Sequence, residues 1–466
     1  MTTAAIDTGV ARRSLAPLGL AALILAYIPV NFTFGSVNVL ADDIGSDLRA
    51  GAAGQQLVLA AYTTAFAATL VIAGRLGDRM GRRRLLAIGS AGVVVLSVAT
   101  ALAPNLATAV ALRVLLGVAA GLLTPQVLST IQATAHGALR TWGLMLFTAM
   151  SGVATILGQL AAGALGSLLS AHDGWRAVQI ATAAIAALGL AGLVAVPESR
   201  SDAALALDGS GAATLGASLL LVVVPLTLGP TLGWPVWAVV VLVAGAALLV
   251  AFGAQQARSE RRGRLPIVPP SVLRITVVRR GLLMTLLFFT TYGAMLYELS
   301  ALAKARFGMG ALGAALLVLG FGLAFVAVSI SMPRLLPVLG AHTMTVAAVA
   351  QAVVLAALGA LAIAGADGFW AYEIVLVPLG VTQAMMFGPV LQTVVTRAPE
   401  WAGGVASGLF TTMQQLGLTL GVAVLGGVFW ATERSAGLDP ALGLVFGIHA
   451  LCALVFAALA RSIARR

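Results

Sequence analysis

The stretch Gly74-Arg75-Leu76-Gly77-Asp78-Arg79-Met80-Gly81-Arg82-Arg83-Arg84 lies between two long apolar blocks, residues 54–73 and 84–103. Gly74, Gly77 and Gly81 permit a tight turn and the close approach of two helix ends. Asp78 is placed to cap a helix start or to offset the arginines around it. Arg79 and Arg82 to Arg84 suit an anionic lipid surface. A generic basic loop explains the arginines but neither the glycine spacing nor the lone aspartate.

The flanking blocks are representative of the whole chain. Of its 466 residues 60% are apolar and only 9% charged, more apolar surface than a soluble domain hides in its core. The apolar residues run in blocks, each near the ~20 residues that cross a ~30 Å hydrocarbon layer. We read about fourteen such spans, the first at 17–40 and the last at 438–461. The first block is too long for a signal peptide, lacks a small-residue cleavage site and is followed by further spans. The expected fold is an all-α membrane protein.

The formal charge of +11 comes almost wholly from arginine in short clusters between blocks, without interleaved aromatics, which argues against a nucleic-acid surface. With the N-terminus placed in the cytoplasm, about 21 of the 27 Lys and Arg fall on the inner side. They include Arg12, Arg13, the run from Arg258 to Arg280, and Arg461 to Arg466. Arg49, Arg176, Lys304, Arg306 and Arg434 fall outside. The bias predicts a multi-pass protein of the cytoplasmic membrane with both termini inside.

The segment Pro333-Arg334-Leu335-Leu336-Pro337-Val338-Leu339-Gly340 repeats Arg, Leu and Gly at the offsets they hold in Gly74 to Gly81. Each copy follows the second span of a six-span set. The chain therefore reads as a six-helix half over 1–200, an inserted two-helix segment over 201–255, a basic cytoplasmic linker over 256–280 and a second six-helix half over 281–466. Paired halves with a site between them are a recurrent build of secondary transporters.

At these residues the chain resembles the major facilitator superfamily, whose signature between spans 2 and 3 is similar to Gly74 to Arg84. Fourteen spans with a central insertion resemble its drug:proton antiporter branch. Further matches are Arg113 with Gly117 and Gly121 in span 4, Gly158 and Gly163 in span 5, Trp175-Arg176, Pro197-Glu198-Ser199, and the stretch from Gly404 to Gly421. The resemblance implies a conformational latch at Gly74, Asp78, Arg79, Gly81 and Arg82, proton coupling at Arg113, and export associated with a glycine-rich span 5. The chain departs from the branch at Thr33, where an Asp is usual, at Asp42 in place of a Pro, and at Gly158-Gln159 in place of Gly-Pro.

Charges within spans are costly and usually functional. Arg113 lies in span 4, and Glu298 lies ~26 Å along span 9, in its outer third. The two were expected at similar depth and near one another. Burial favours a neutral carboxyl and a nearby arginine favours a carboxylate, so an opening cavity would move a proton on or off Glu298. Asp42 is the alternative carboxyl. Gly117, Gly121, Gly158 and Gly163 give flat faces for helix packing and gating. Phe32, Phe34, Tyr292, Gln383, Phe387 and Gln392 are candidates to line a substrate cavity, and His449 reads as a hydrogen-bonded packing residue.

The function that follows is proton-coupled efflux of small amphiphilic or apolar compounds, of multidrug or antibiotic type, by alternating access in a functional monomer. Its partners are the substrate, protons and the lipid bilayer. The proton gradient supplies the work, so no cofactor is implied. A single cysteine, Cys452, and four scattered histidines imply no metal site. Facilitated diffusion or import of a metabolite is the alternative, and a transporter-like membrane sensor a more remote one. No Walker A loop, His-Glu-x-x-His or Gly-x-Ser-x-Gly motif points to an enzyme. Arginine in place of lysine, with abundant Ala and Gly, is the composition of a GC-rich bacterial genome.

Overall fold

A computed structural model describes residues 14–200, 208–229, 232–264, 266–309, 311–399 and 402–465. Arg12, Arg13 and Arg466 lie outside these residues, and of Asp42 only the backbone is described. Among the described residues the chain is helical, with no strand, because a backbone surrounded by lipid must satisfy its polar groups within each segment. The first helices are α1 (Pro17–Val39), short α2 (Ala41–Asp47), α3 (Ala52–Met80), α4 (Arg82–Ala101), α5 (Leu106–Thr134), α6 (Gly137–Leu168) and α7 (Ala171–Gly192). Two helices follow, α8 (Gly209–Leu228) and α9 (Val236–Arg261), then the short α10 (Pro270–Arg274). The remainder are α11 (Thr276–Phe307), α12 (Ala311–Leu317), α13 (Leu319–Leu339), α14 (Thr343–Ile363), α15 (Phe369–Thr396), α16 (Gly403–Leu420), α17 (Gly426–Ala436) and α18 (Leu438–Ala464). A π-helical turn, Gly421–Leu425, joins α16 to α17.

Eleven helices among the described residues are long and apolar enough to cross a membrane, or up to twelve when the bent pair Leu57–Leu70 and Ile72–Met80 counts as one span. Shorter apolar stretches, Ala213–Leu226 and Leu319–Met332, stand beside them. Val236, Val240, Val243 and Val250 of α9 point outward and exposed. Such a surface needs a lipid solvent.

The same crossings recur in the two parts of the chain. In the first, α1 packs on α6 and α3 on α5; in the second, α11 packs on α16 and α13 on α15. Each crossing brings a glycine against a backbone carbonyl. A Cβ on Gly158 would stand 2.2 Å from the Phe32 oxygen, and one on Gly421 would stand 2.1 Å from the Thr290 oxygen. Gly117 meets the Tyr62 oxygen at 2.3 Å and Gly380 the Phe321 oxygen at 2.1 Å in the same sense. Contact this close between helices requires the absence of a side chain.

The signature stretch is not a loop. Helix α3 continues to Met80 and α4 begins at Arg82, so the reversal falls on Gly81 alone, at φ +100°. Its counterpart Gly340 ends α13 with φ +68°, and a residue with a Cβ is strained in this region. Asp78 caps nothing; its Oδ1 accepts from Arg82 Nη2 at 2.7 Å and Nε at 3.2 Å, one turn on. The turn packs on the motif after α7. Arg82 N donates to Ser199 O at 2.9 Å, and Glu198 Oε1 accepts from Arg83 N at 3.1 Å. Arg75 reaches the linker, donating to Pro266 O at 2.5 Å and Ile267 O at 3.3 Å. Arg79 is exposed.

At the opposite end, each part of the chain is fastened by an arginine. Arg176 of α7 donates to Asp47 of α2 at 2.9 Å and to Ala101 O, at the end of α4, at 3.1 Å. Arg306 of α11 pairs with Asp439 of α18 and donates to Ala366 O, just past α14, at 2.8 Å. The arrangement repeats with the charges exchanged between the first and last helices of each set. Asp47 also accepts from Trp175 Nε1 at 2.9 Å and contacts His172 Nδ1 at 2.7 Å. Desolvation alone raises the Asp47 carboxyl, but bonds to His172 and Trp175 and the Arg176 charge outweigh it and hold the group below the usual carboxylate range.

Candidate functional site

A small cavity of about 40 Å³ lies between the two parts of the chain. From the first part of the chain it takes Asn31 and Phe34 of α1, Tyr62 and Phe66 of α3, and Ser151 and Thr155 of α6. The second part supplies Phe288, Phe289 and Tyr292 of α11, Phe325 of α13, Gln383 and Phe387 of α15, and Gln414 and Gln415 of α16. No Asp, Glu, Lys, Arg or His is among the lining residues. The wall is aromatic: Phe387 stacks on Phe288 at 5.6 Å and meets Phe289 edge-on at 5.1 Å, and Tyr292 lies 6.3 Å from Phe288. Rings so arranged offer faces and edges to a flat apolar solute, and the amides offer hydrogen bonds that fix its orientation.

The two helix sets touch on both sides of the cavity. Toward the arginine-rich end, Gln132 of α5 donates to Ser407 Oγ of α16 at 3.1 Å. Toward the other end, the Gly163 face of α6 rests on α12, where an added Cβ would stand 3.1 Å from Leu312 Cα.

Four of the six expected lining residues, Phe34, Tyr292, Gln383 and Phe387, are at the cavity. Phe32 and Gln392 are not among its lining residues. Phe32 is buried instead with Trp175 and Val178. The helical period accounts for both exceptions: residues two apart on α1 point ~200° apart, and residues nine apart on α15 point to opposite sides. Phe288, Phe289, Phe325, Gln414 and Gln415 were missed, since apolar and amide residues on a buried helix carry no period that marks the inward face.

Arg113 is buried between α5, α3 and α1. Its Nη1 donates to Thr33 Oγ1 at 3.1 Å and its Nε to Val58 O at 3.3 Å, and its guanidinium lies 4.6 Å from the Tyr62 ring centre. Tyr62 in turn donates to Val30 O at 2.9 Å. Thr33, the residue standing where the related branch has an Asp, is therefore the direct partner of Arg113. No carboxylate pairs with Arg113 among the described residues.

Glu298 is fully buried, and its partner is His449 of α18, with Oε2 to Nε2 at 2.8 Å. The expected neighbourhood of Glu298 and Arg113 does not form; each has separate partners in its own part of the chain. His449 is hydrogen-bonded as expected, but to an ionisable group. Among the described residues no cluster of three His, Cys, Asp or Glu side chains is arranged to hold a metal ion.

Two helix sets with recurring crossings and a cavity between them are the architecture of a secondary transporter, and the chain belongs to the Major Facilitator Superfamily, whose profile matches residues 23–422. It is similar to the probable actinorhodin transporter of Streptomyces coelicolor, 33% identical over 86% of this chain and 71% of that one. The puromycin resistance protein pur8 of Streptomyces alboniger is 31% identical, over 92% of this chain and 86% of its own. The multidrug efflux pump LfrA of Mycolicibacterium smegmatis is 29% identical, over 85% and 78%. Among solved structures, the fold is similar to the human organic anion transporter MFSD10, with TM-score 0.65 and 18% identity over 94% of this chain and 98% of that one. The proton:xylose symporter XylE gives TM-score 0.66 at 16% identity, covering 96% of each chain.

Proposed function

We propose that the chain is a bacterial efflux transporter that exports small aromatic or amphiphilic compounds in exchange for protons, by alternating access. The observation that carries this reading is the uncharged, ring-lined cavity built from both helix sets. A cavity without fixed charge favours solutes whose main payload is apolar surface, and stacked rings tolerate many shapes. Relatives named for antibiotic export, resistance and multidrug efflux support the direction of transport. The crossings that recur around Gly158 and Gly421 support two halves, residues 1–200 and 281–466, joined through the inserted pair over 201–255 and the linker over 256–280. Counting the bent α3, α8 and α13 as spans along with the eleven others would bring the total to fourteen. The excess of arginine at one end supports cytoplasmic termini, and the docking of the Gly81 turn on Ser199, with Arg75 bonded to the linker, supports a latch role for this stretch. Proton coupling is assigned to carboxyl groups within the spans, Glu298 before Asp42, with Arg113 responding to them. The transporter works as a monomer.

Thr33 opposite Arg113 favours a second reading, facilitated diffusion without a coupled proton. Accumulation of ethidium, a planar aromatic probe, in cells lacking their own pumps separates the two. Proton-coupled efflux keeps intracellular ethidium low until a protonophore is added, when it rises to the level of cells without the transporter. A facilitator leaves ethidium at that level throughout.

A further inference from the structure

Glu298 and His449 each keep one polar atom, Oε1 and Nδ1, buried and without a partner among the described residues. They sit within an apolar cluster that includes Met295, Leu299, Leu302, Val445 and Phe446. An ionisable pair buried among apolar side chains of membrane-spanning helices is costly and is usually retained for function. We propose that the Glu298–His449 pair is the site that binds the exchanged proton, an assignment that rests on the antiport reading above.

With one proton between them the two groups are together neutral, whichever atom holds it. Loss of that proton leaves a carboxylate beside a neutral imidazole, and an uncompensated charge in such surroundings is costly unless water enters. Proton release is therefore tied to hydration of the pair. Gln383 connects the pair to the cavity: it lines the cavity and donates through Nε2 to Met295 Sδ at 3.8 Å, one turn before Glu298. In release the bond holding the proton breaks and the proton leaves on water; in uptake a hydronium ion from the other side restores it. No electron moves.

On α11 itself the other charges are Arg279 and Arg280 in its first turns and Lys304 and Arg306 in its last turn. Helices α12, α14, α16 and the π-helical turn carry no Asp, Glu, Lys, Arg or His. On α15, Glu373 is engaged with Gly320 N at 2.9 Å. On α18, Asp439 is held by Arg306 at the outer end, and Arg461 lies in the last turn. His342 and Arg274 lie at the arginine-rich end, beside α18 and α11 respectively. Tyr297 neighbours Glu298 on α11 and is bonded by Trp430 of α17, whose Glu433 and Arg434 face the outer end.

Infrared difference spectroscopy of the purified full chain in lipid, recorded as acid is added, reads the carboxylic-acid C=O stretch and the imidazolium ring bands together. The proposal expects a proton-dependent band of one of the two groups that is lost or altered in both Glu298→Gln and His449→Gln and retained in Glu298→Asp. A wild-type spectrum in which neither group changes its protonation, or bands unchanged in Glu298→Gln, overturns it. Ethidium-driven proton movement in proteoliposomes supplies the second readout. Coupled wild type with uncoupled Glu298→Gln supports the pair. Equal protons per ethidium in both overturns the pair but leaves antiport standing. Ethidium transport by wild type without proton movement overturns antiport and the assignment with it.

Discussion

Replacing Gly158 by alanine places a carbon 2.2 Å from the Phe32 oxygen and 2.9 Å from the Phe32 carbonyl carbon. An unstrained carbon–oxygen contact is near ~3.3 Å, so α1 and α6 must part by about 1 Å. Neither side can give cheaply, because the obstruction is helix backbone and not a flexible side-chain end. The neighbouring seam is equally tight, since a Cβ on Gly35 would stand 2.2 Å from the Thr155 oxygen. Overpacking costs ~1–3 kcal/mol, and a backbone obstruction puts this case near the upper end. At about 2–4 °C per kcal/mol for a unit the size of one half, the midpoint of thermal unfolding falls by roughly 5–10 °C. Tryptophan fluorescence of the purified protein in detergent measures it. Gly253→Ala is the internal control: nothing lies within 4 Å of the added carbon, and helix propensity makes the change neutral or stabilising by ~0.5–1 kcal/mol. A Gly158→Ala protein that melts with wild type, or a Gly253→Ala protein that falls as far, would refute the close-crossing account.

Loss of a stacking ring in Tyr292→Ala or Phe387→Ala removes ~0.5–1.5 kcal/mol and raises the half-saturating ethidium concentration about 2- to 12-fold; an unchanged value would remove the cavity from the substrate path. Thr33→Asp puts a carboxylate opposite a buried guanidinium and raises stability by ~1–3 kcal/mol at neutral pH, read as a higher melting midpoint; a lower midpoint would mean that Arg113 has no room for a charged partner. Asp47, held below the ordinary carboxylate range, stabilises the fold fully above that range and loses its contribution as pH falls through its depressed value. The acid limb of a stability–pH curve should therefore flatten in Asp47→Asn, and an identical limb would show that the Arg176 cluster adds nothing.

The sequence made the membrane fold legible because block length and arginine placement report directly on a bilayer. The repeat at Gly81 and Gly340 was also visible, since a left-handed turn demands glycine in both copies. What could not be read was the partner of each buried charge. Arg113 and Glu298 are expected at similar depths, but depth says nothing of helix order around a bundle, and Glu298 instead meets His449, 151 residues away in the chain. The stretch from Gly74 to Arg84, placed between two apolar blocks in the sequence, belongs almost wholly to helices for a related reason. Gly77 serves packing within a continuing helix, where an added Cβ would collide with Gln126 Oε1 at 1.8 Å. Only the backbone conformation at Gly81 separates a turn from a helix interior.

Ethidium-loaded proteoliposomes carrying an internal pH dye test the central claim most directly. Efflux that drives protons in the opposite direction, and that stops when the pH gradient is opposed, is the result predicted for an aromatic-compound:proton antiporter. Ethidium movement that is indifferent to the gradient and leaves internal pH unchanged would contradict it, and would make the Thr33–Arg113 contact the mark of an uncoupled carrier.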